Sequence, residues 1–385
     1  MRADATPERA NLGTIARAWT RLGMTGFGGP PAHLALLRRL CVEQQGWLAP
    51  EEFGHAVATA NLLPGPASTQ VAIYCAWRVG GPLGGLVGGC CFILPGLIAI
   101  IALSAILLSR AAPAGLVGAA AGAASVVAAI AVRTGLDLLR PALQRSAGLT
   151  DERRRIFAYG VAGALATVLL GPWLVVVLLG CGALELLRRR GPQRGPQMGA
   201  VWPALAVVGT LPALVWTAIK VGALSFGGGF VIIPLLRGDA VTRHHWLTAG
   251  QFLEAVALGQ LTPGPVVQTV AVIGYGAAGL LGAIVAAVVA FAPSFLFVLA
   301  LSRHFERFRT NVTAAGFFAG AGPAAIGAIL GSSVLLVIGL TQLWQGLLAG
   351  AAFGWLVVGR RSPLVGLGAA AAIGAVVVGA GWAPS

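Results

Sequence analysis

Two stretches of this chain carry residue types that could hold a negatively charged group within apolar sequence. Pro64-Gly65-Pro66 is followed by Ser68, Thr69 and Gln70, and Pro263-Gly264-Pro265 is followed by Gln268 and Thr269. A helix that restarts after such a break offers free amide hydrogens and the positive end of its dipole, and hydroxyl and amide side chains in its first turn add donors. Upstream of each lies a glycine break, Gly28-Gly29 and Gly227-Gly228, where backbone could approach a ligand closely. Arg21 and Lys220 precede those glycines. A basic residue inside apolar sequence is costly and is by default a functional candidate, so the two cations together could offset a double negative charge. Blander readings stand beside these. Pro-Gly-Pro could simply kink a packed span, and Arg21, with Arg17 nearby, could reach the membrane interface.

A second pair, His55 and Glu254, lies in the arms leading into the two Pro-Gly-Pro breaks. Histidine titrates near neutrality and a carboxyl within the membrane can carry a proton, so both are candidates for proton coupling, with Glu254 first. The alternative is an interfacial or packed residue. Trp47 and Trp246 suit interfacial anchors, and Arg38 and Arg237 suit orientation or gating charges.

These residues come in pairs because the chain is duplicated. Adding 199 to a number in the first copy lands on its partner in the second, and residues 21–80 give 21 identities at that offset, from Gly23 to Gly80. Each copy carries two helix breaks within apolar sequence, which is how secondary transporters build a site near the bilayer midplane.

Composition sets the class. The chain has 385 residues, of which 57% are hydrophobic and only 10% charged, where a soluble domain would carry about a quarter charged. Mean hydropathy is +0.86, and apolar runs long enough to span, such as 84–109 and 363–382, recur throughout. The net charge of +14 does not point to nucleic acid, because the arginines sit in short clusters between apolar runs, where they set orientation. The start of the chain lacks the features of a cleaved signal. The five cysteines show no metal spacing and suit small packing residues. H-E-x-x-H, a P-loop and a flavin fingerprint after a strand are absent, so neither an enzyme nor a nucleotide-driven pump is expected, and no cofactor or metal.

Charge also bears on topology. Segments 53–79 and 252–278 either cross the membrane or fold back at Pro-Gly-Pro, each arm reaching about half the bilayer. Folding both back, and reading 156–187 as a two-helix hairpin, gathers most basic residues on one face and leaves Arg2, Arg9, Arg110, Arg237 and Arg243 on the other. The expected fold is an all-α polytopic membrane protein, an inverted repeat of two five-span halves (1–195 and 196–385) with broken helices and re-entrant hairpins. The segments 12–41 and 203–239 each count as one interrupted span, and both termini fall on the sparsely charged face.

The motifs together resemble the chromate ion transporter family. In the first copy they read Arg21, Gly23, Gly26-Phe27-Gly28-Gly29-Pro30, Trp47-Leu48, Phe53 and Leu63-Pro64-Gly65-Pro66. In the second they read Lys220, Gly222, Ser225-Phe226-Gly227-Gly228-Gly229, Trp246-Leu247, Phe252 and Leu261-Thr262-Pro263-Gly264-Pro265. The resemblance implies a multi-pass transporter of the bacterial inner membrane that exports chromate and confers resistance, with two homologous halves in opposite orientation. Chromate is a tetrahedral dianion similar to sulfate, so a sulfate or other oxyanion permease stays open, as does an anion channel. With no nucleotide site, the proton gradient is the expected driving force. The expected partners are chromate and the lipid bilayer. Whether two copies pair as a homodimer stays open.

Overall fold

The computed structural model of the chain describes residues 10–61, 63, 65–109, 111–145, 150–190, 209–225, 229–302 and 312–381. Among them every regular element is helical, as expected where backbone groups must satisfy one another within lipid.

The first copy opens with α1 (Leu12–Thr25), capped by the Asn11 side chain, which accepts from the Gly13 amide at 3.0 Å. The helix stops at Gly26. The chain restarts as α2 (Pro30–Arg38), whose prolines suit the first turn, and runs on through a π-helical turn at Arg39–Gln44. Next come α3 (Pro50–Ala60) and α4 (Ala67–Leu107). α4 is not straight. At Gly81 the backbone takes φ 67° and ψ −162°, a conformation that glycine adopts without strain. Beyond it Gly84 and Gly88 lie back against Ala76. α4 is therefore two antiparallel arms, 67–80 and 82–107. Helices α5 (Ala114–Arg145), α6 (Thr150–Leu169) and α7 (Leu174–Arg190) complete this copy.

The second copy repeats the order. α8 (Thr210–Leu224) and α9 (Ile232–Arg237) flank the glycine break, and a π-helical turn follows at Gly238–Arg243. α10 (Ala249–Leu261) begins on a capping box between Thr248 and Gln251. α11 (Thr269–Leu301) reverses at Gly279 as α4 does at Gly81, with Gly282 against Gly274. Then come α12 (Val312–Ile338), α13 (Leu343–Phe353) and α14 (Pro363–Gly379).

The Pro-Gly-Pro segments fold back. At the base of the α3–α4 hairpin Arg78 Nε donates to Glu52, and the Tyr74 hydroxyl lies 3.4 Å from the same carboxylate. The segment 156–187 is likewise two helices. Tyr159 of α6 donates to Glu185 of α7 at 3.1 Å, and Arg155 lies 3.7 Å from that carboxylate, so α6 begins where α7 ends.

The segments 12–41 and 203–239 differ from expectation. Neither is a single interrupted span over its described residues. Trp19 of α1 stacks on Trp47 with ring centroids 6.1 Å apart, and Thr14 and Gln45 line one cavity. Leu12 and Gln45 therefore share one end of the molecule, and α1 and α2 are the arms of a hairpin. In the second copy Thr217 of α8 donates to Asp239, just past α9, at 2.8 Å, so those helices fold back too. A glycine break of this length permits full reversal, and length alone could not show that it happens.

The second arms of α4 and α11 pack antiparallel, Gly85 facing Leu299 and Gly89 facing Phe295. The outer helices are exchanged. α5 packs on α13 and α14, α12 packs on α6 and α7, and α5 and α12 also pack on each other. Small residues allow these contacts: a Cβ added to Gly118 would sit 2.4 Å from the Gly374 carbonyl oxygen, and one on Gly163 1.9 Å from that of Ala324.

Loops therefore sort to two ends. One end holds the start of α1, expected from the charge distribution on the sparsely charged face but brought here by the α1–α2 hairpin, with the α2–α3 loop, the Gly81 turn, the start of α6 with Arg153, Arg154 and Arg155, and the end of α7 with Arg188 and Arg189. Arg360-Arg361 joins them, since Arg133 in the second half of α5 donates to the Arg361 carbonyl at 2.6 Å. Arg243 lies at the opposite end, where the turn after α9 meets the α6–α7 turn. Arg2, Arg9 and Arg110 lie outside the described residues. Single cysteines replacing Gln45 and Gly81 in a cysteine-free variant are expected to react with an impermeant maleimide from the same side of the membrane. Reaction from opposite sides would mean that α3 and the first arm of α4 cross.

Candidate functional site

Four hairpin tips meet inside the molecule. The tip between α1 and α2 joins the one between α10 and α11, where the Gly264 amide donates to the Gly26 carbonyl at 2.9 Å. Val266 lies beside Gly29 and Gly229, which brings in the α8–α9 tip. The α3–α4 tip closes the ring, with Gly65 near the Gly222 carbonyl and His33 of α2 next to Ser68.

The junction is buried and polar. Ser68, Thr69, Gln70, Gln260, Gln268, Thr269, Ser225 and Ser294 are all buried. His33, 1% exposed, spans two tips: Nε2 donates to the Gly26 carbonyl at 2.9 Å, and Nδ1 lies 3.2 Å from Ser68 Oγ. With the proton on Nε2, a neutral ring accepts the Ser68 hydroxyl at Nδ1. Gln268 Nε2 donates to the Ile93 carbonyl at 2.9 Å, and the Thr269 hydroxyl to that of Val266 at 2.8 Å. The hydroxyls of Thr69, Ser225 and Ser294 and the Gln260 amide nitrogen are buried without a protein partner among the described residues. Buried polar groups ordinarily have partners, and exceptions of this kind concentrate where a ligand or water is bound. Hydroxyls and amides can donate to an oxyanion without a fixed opposite charge.

Backbone geometry at the tips depends on glycine. Gly65 has φ 121° and Gly264 φ 100°. A Cβ on Gly65 would lie 2.6 Å from Gln70 Nε2 and 2.9 Å from Ser294 Oγ, and one on Gly96 of α4 would lie 1.8 Å from the Pro263 carbonyl oxygen. Pro66 and Pro265 sit just before the restarting arms in extended conformation. Those arms are the first turn of α4 and a short 3-10 turn, Val266–Gln268, leading into α11.

Several residues singled out by the sequence therefore converge here: Gly29, Gly65, Pro66, Ser68, Gln70, Pro263, Gly264, Pro265 and Gln268, with Thr69 and Thr269 in the adjoining turns. Gly28 is exposed beside them, and Pro64, Gly227 and Gly228 lie outside the described residues. The two cations are not equivalent as placed. Lys220 is buried and donates to Asp239, which also accepts from Thr217 at 2.8 Å. Its charge is already matched. Arg21 is exposed and lines a side cavity with Arg17 and Arg39. His55 on α3 and Glu254 on α10 are partly buried and lie well before the tips, Glu254 by about 13 Å along its helix.

Sequence reasoning missed His33, Asp239, Ser225 and Ser294. Asp239 had a legible signal as a rare acid near a broken apolar segment, but its partner Lys220 lies 19 residues earlier, across the break. Glutamine at His33 keeps an amide donor for the Gly26 carbonyl and cannot titrate. His33→Gln is expected to retain the fold, whereas His33→Leu, which removes both side-chain hydrogen bonds and leaves the buried Ser68 hydroxyl without its His33 acceptor, is expected to lower the midpoint of thermal unfolding in detergent by several degrees.

The chain was also compared with known proteins. A family model described as chromate transporter matches residues 13–186 and again 212–375, once per copy. The chain is 33% identical over 337 residues to the chromate transport protein of Cupriavidus metallidurans, covering 84% of this chain and 82% of that one. It is 29% identical over 339 residues to the probable chromate transport protein of Synechococcus elongatus, covering 85% and 84%. The uncharacterized transporter YwrB of Bacillus subtilis is 34% identical over 170 residues, which is 43% of this chain but 82% of YwrB. No solved structure matches. Two matches to one model, across both copies, and long relatives of this similarity establish that this membrane protein belongs to the chromate transporter family.

Proposed function

We propose that the protein is a secondary transporter of the bacterial inner membrane that moves chromate outward and so confers chromate resistance. The observation that carries this reading is the meeting of four hairpin tips around buried hydroxyl and amide donors that lack protein partners among the described residues. A tetrahedral oxyanion suits such a ring: each oxygen can accept from a hydroxyl, an amide or the first turn of a helix. Donors without a fixed counter-charge hold it weakly enough for release.

Residues 1–195 and 196–385 act as two inverted repeats. Antiparallel packing of the second arms of α4 and α11, the exchanged outer helices and the half-length relative all support that reading. The end rich in arginine faces the cytoplasm by the positive-inside rule. Alternating access then comes from rocking of the repeats about the tips, and the antiporter is driven by protons, with Glu254 and His55 as candidates for the coupling step. Under that assignment, efflux by Glu254→Gln is expected to lose its response to an imposed pH gradient while exchange without a gradient continues.

Transport is tested by uptake of labelled chromate into everted vesicles, competed with sulfate, with and without an uncoupler. Accumulation abolished by the uncoupler is expected, with competition by sulfate reporting selectivity. Equilibration without accumulation would indicate a channel. Absence of chromate flux would reject the reading.

A further inference from the structure

The cavity of about 470 Å³ between α1 and the π-helical turn after α2 is lined by Arg17, Arg21 and Arg39, with Thr14, Thr25, Gln44 and Gln45 around them. No carboxylate lines it among the described residues. Glu43, on the same turn, is held by Arg38 at 3.6 Å instead. Three guanidiniums sharing one cavity without a counter-charge repel one another, and that repulsion is relieved when an anion enters. The lining supplies what a tetrahedral dianion takes: planar guanidinium donors for its oxygen edges from two sides, with hydroxyl and amide side chains among them. Arg17 and Arg21 are brought to one side by their spacing on α1, and the hairpin brings Arg39 opposite them.

The second copy has no such set. Trp216 stands where the first has Arg17, Gly238 where it has Arg39, and Asp239, in place of Leu40, binds the lone Lys220. The two ends of the molecule are thus chemically unequal. Arginines are collected at the end that also carries the basic loops, and the cation at the other end is neutralised internally.

We propose that Arg17, Arg21 and Arg39 form a capture site for a free tetrahedral oxyanion, distinct from the tip junction and present on one face only. This rests on the transport reading above and assigns Arg21 to capture. An anion offered at the arginine face is concentrated there before it reaches the tips. One arriving from the opposite face meets no equivalent site.

The test is chromate flux through the full-length protein in liposomes of phosphatidylcholine, with substrate added to one face at a time. Losing one charged hydrogen-bonding partner corresponds to about tenfold in affinity. Arg39→Gln, remote from the tips, is expected to raise KM about tenfold for chromate added at the arginine face, with kcat retained. KM from the other face is expected to stay unchanged. Arg39→Lys, which keeps the charge, is expected to recover most of the loss. Unchanged KM on both faces in a flux-competent Arg39→Gln protein would overturn the capture site and leave the transport reading standing. A KM effect that appears only when phosphatidylglycerol is included would overturn it in favour of a lipid headgroup as the occupant. Absence of flux in the unsubstituted protein would instead reject transport itself.

Discussion

Lys220→Met is expected to destabilise the protein by about 3–5 kcal/mol, the usual consequence of leaving one member of a buried ion pair alone. Asp239 is 1% exposed, and among the described residues its side chain keeps only the Thr217 hydroxyl once the ammonium is gone. The remaining carboxylate must either stay charged in a dry interior or take up a proton, and both are unfavourable. Lys220→Met/Asp239→Leu removes both charges and is expected to recover most of the folded protein, because well-packed apolar pairs replace buried ion pairs with little penalty. The check is the fraction of protein that stays monodisperse on heating in detergent, together with chromate flux. A Lys220→Met protein as stable as the parent but unable to transport would show instead that Lys220 serves the substrate directly and that the Asp239 contact is incidental.

Gly65→Ala and Gly264→Ala are each expected to reduce chromate flux at least tenfold while the protein still reaches the membrane. Alanine at φ 121° or 100° carries strain of about 1–3 kcal/mol. Its methyl group would also stand 2.6 Å from Gln70 Nε2 in the first case and 2.9 Å from Gln268 Nε2 in the second. Relief requires the tip to move or the glutamine to turn away, and either change spoils the donor ring. Gly115→Ala on α5, where an added Cβ meets nothing within 4 Å, is the matched control and is expected to transport normally. Flux is measured in vesicles with protein quantified by immunoblot. Normal flux in both tip variants would remove the tips from the anion path.

Much of this architecture could be read from the chain alone, because apolar helices are limited in what they can do. Pro64-Gly65-Pro66 could mark either a kinked crossing or a fold-back, the distribution of basic residues favours the second, and the arms do fold back. The basic loops flanking 156–187 favour a hairpin, and α6 and α7 form one. The reversal at Gly26–Gly29 was not legible in the same way. Residues 12–41 have the length of one span, and consecutive glycines show that a helix breaks without showing the angle of the break. Tertiary contacts such as Trp19 on Trp47 decide it.

The candidate site divides similarly. Glycine, proline and the donors beside them are local features, and the sequence presents them together. The Lys220–Asp239 pair and the His33–Ser68 contact join residues separated by 19 and 35 positions, and only the fold brings them together. Arg21 and Lys220 share a repeat position, yet the partner that cancels one charge exists in only one copy. Equivalence in sequence therefore did not carry over to electrostatics.

The central claim is that opposed hairpin tips hold the oxyanion, and locating the anion tests it most directly. In an experimental density map of the protein with chromate bound, chromium found by its anomalous scattering is expected between the tips. It should lie within hydrogen-bonding reach, through its oxygens, of the Gly65 to Ser68 turn and of Ser225 or Ser294. Chromium absent from that junction at saturating chromate, with Thr69, Ser225 and Ser294 bonded only to protein or water, would contradict the account.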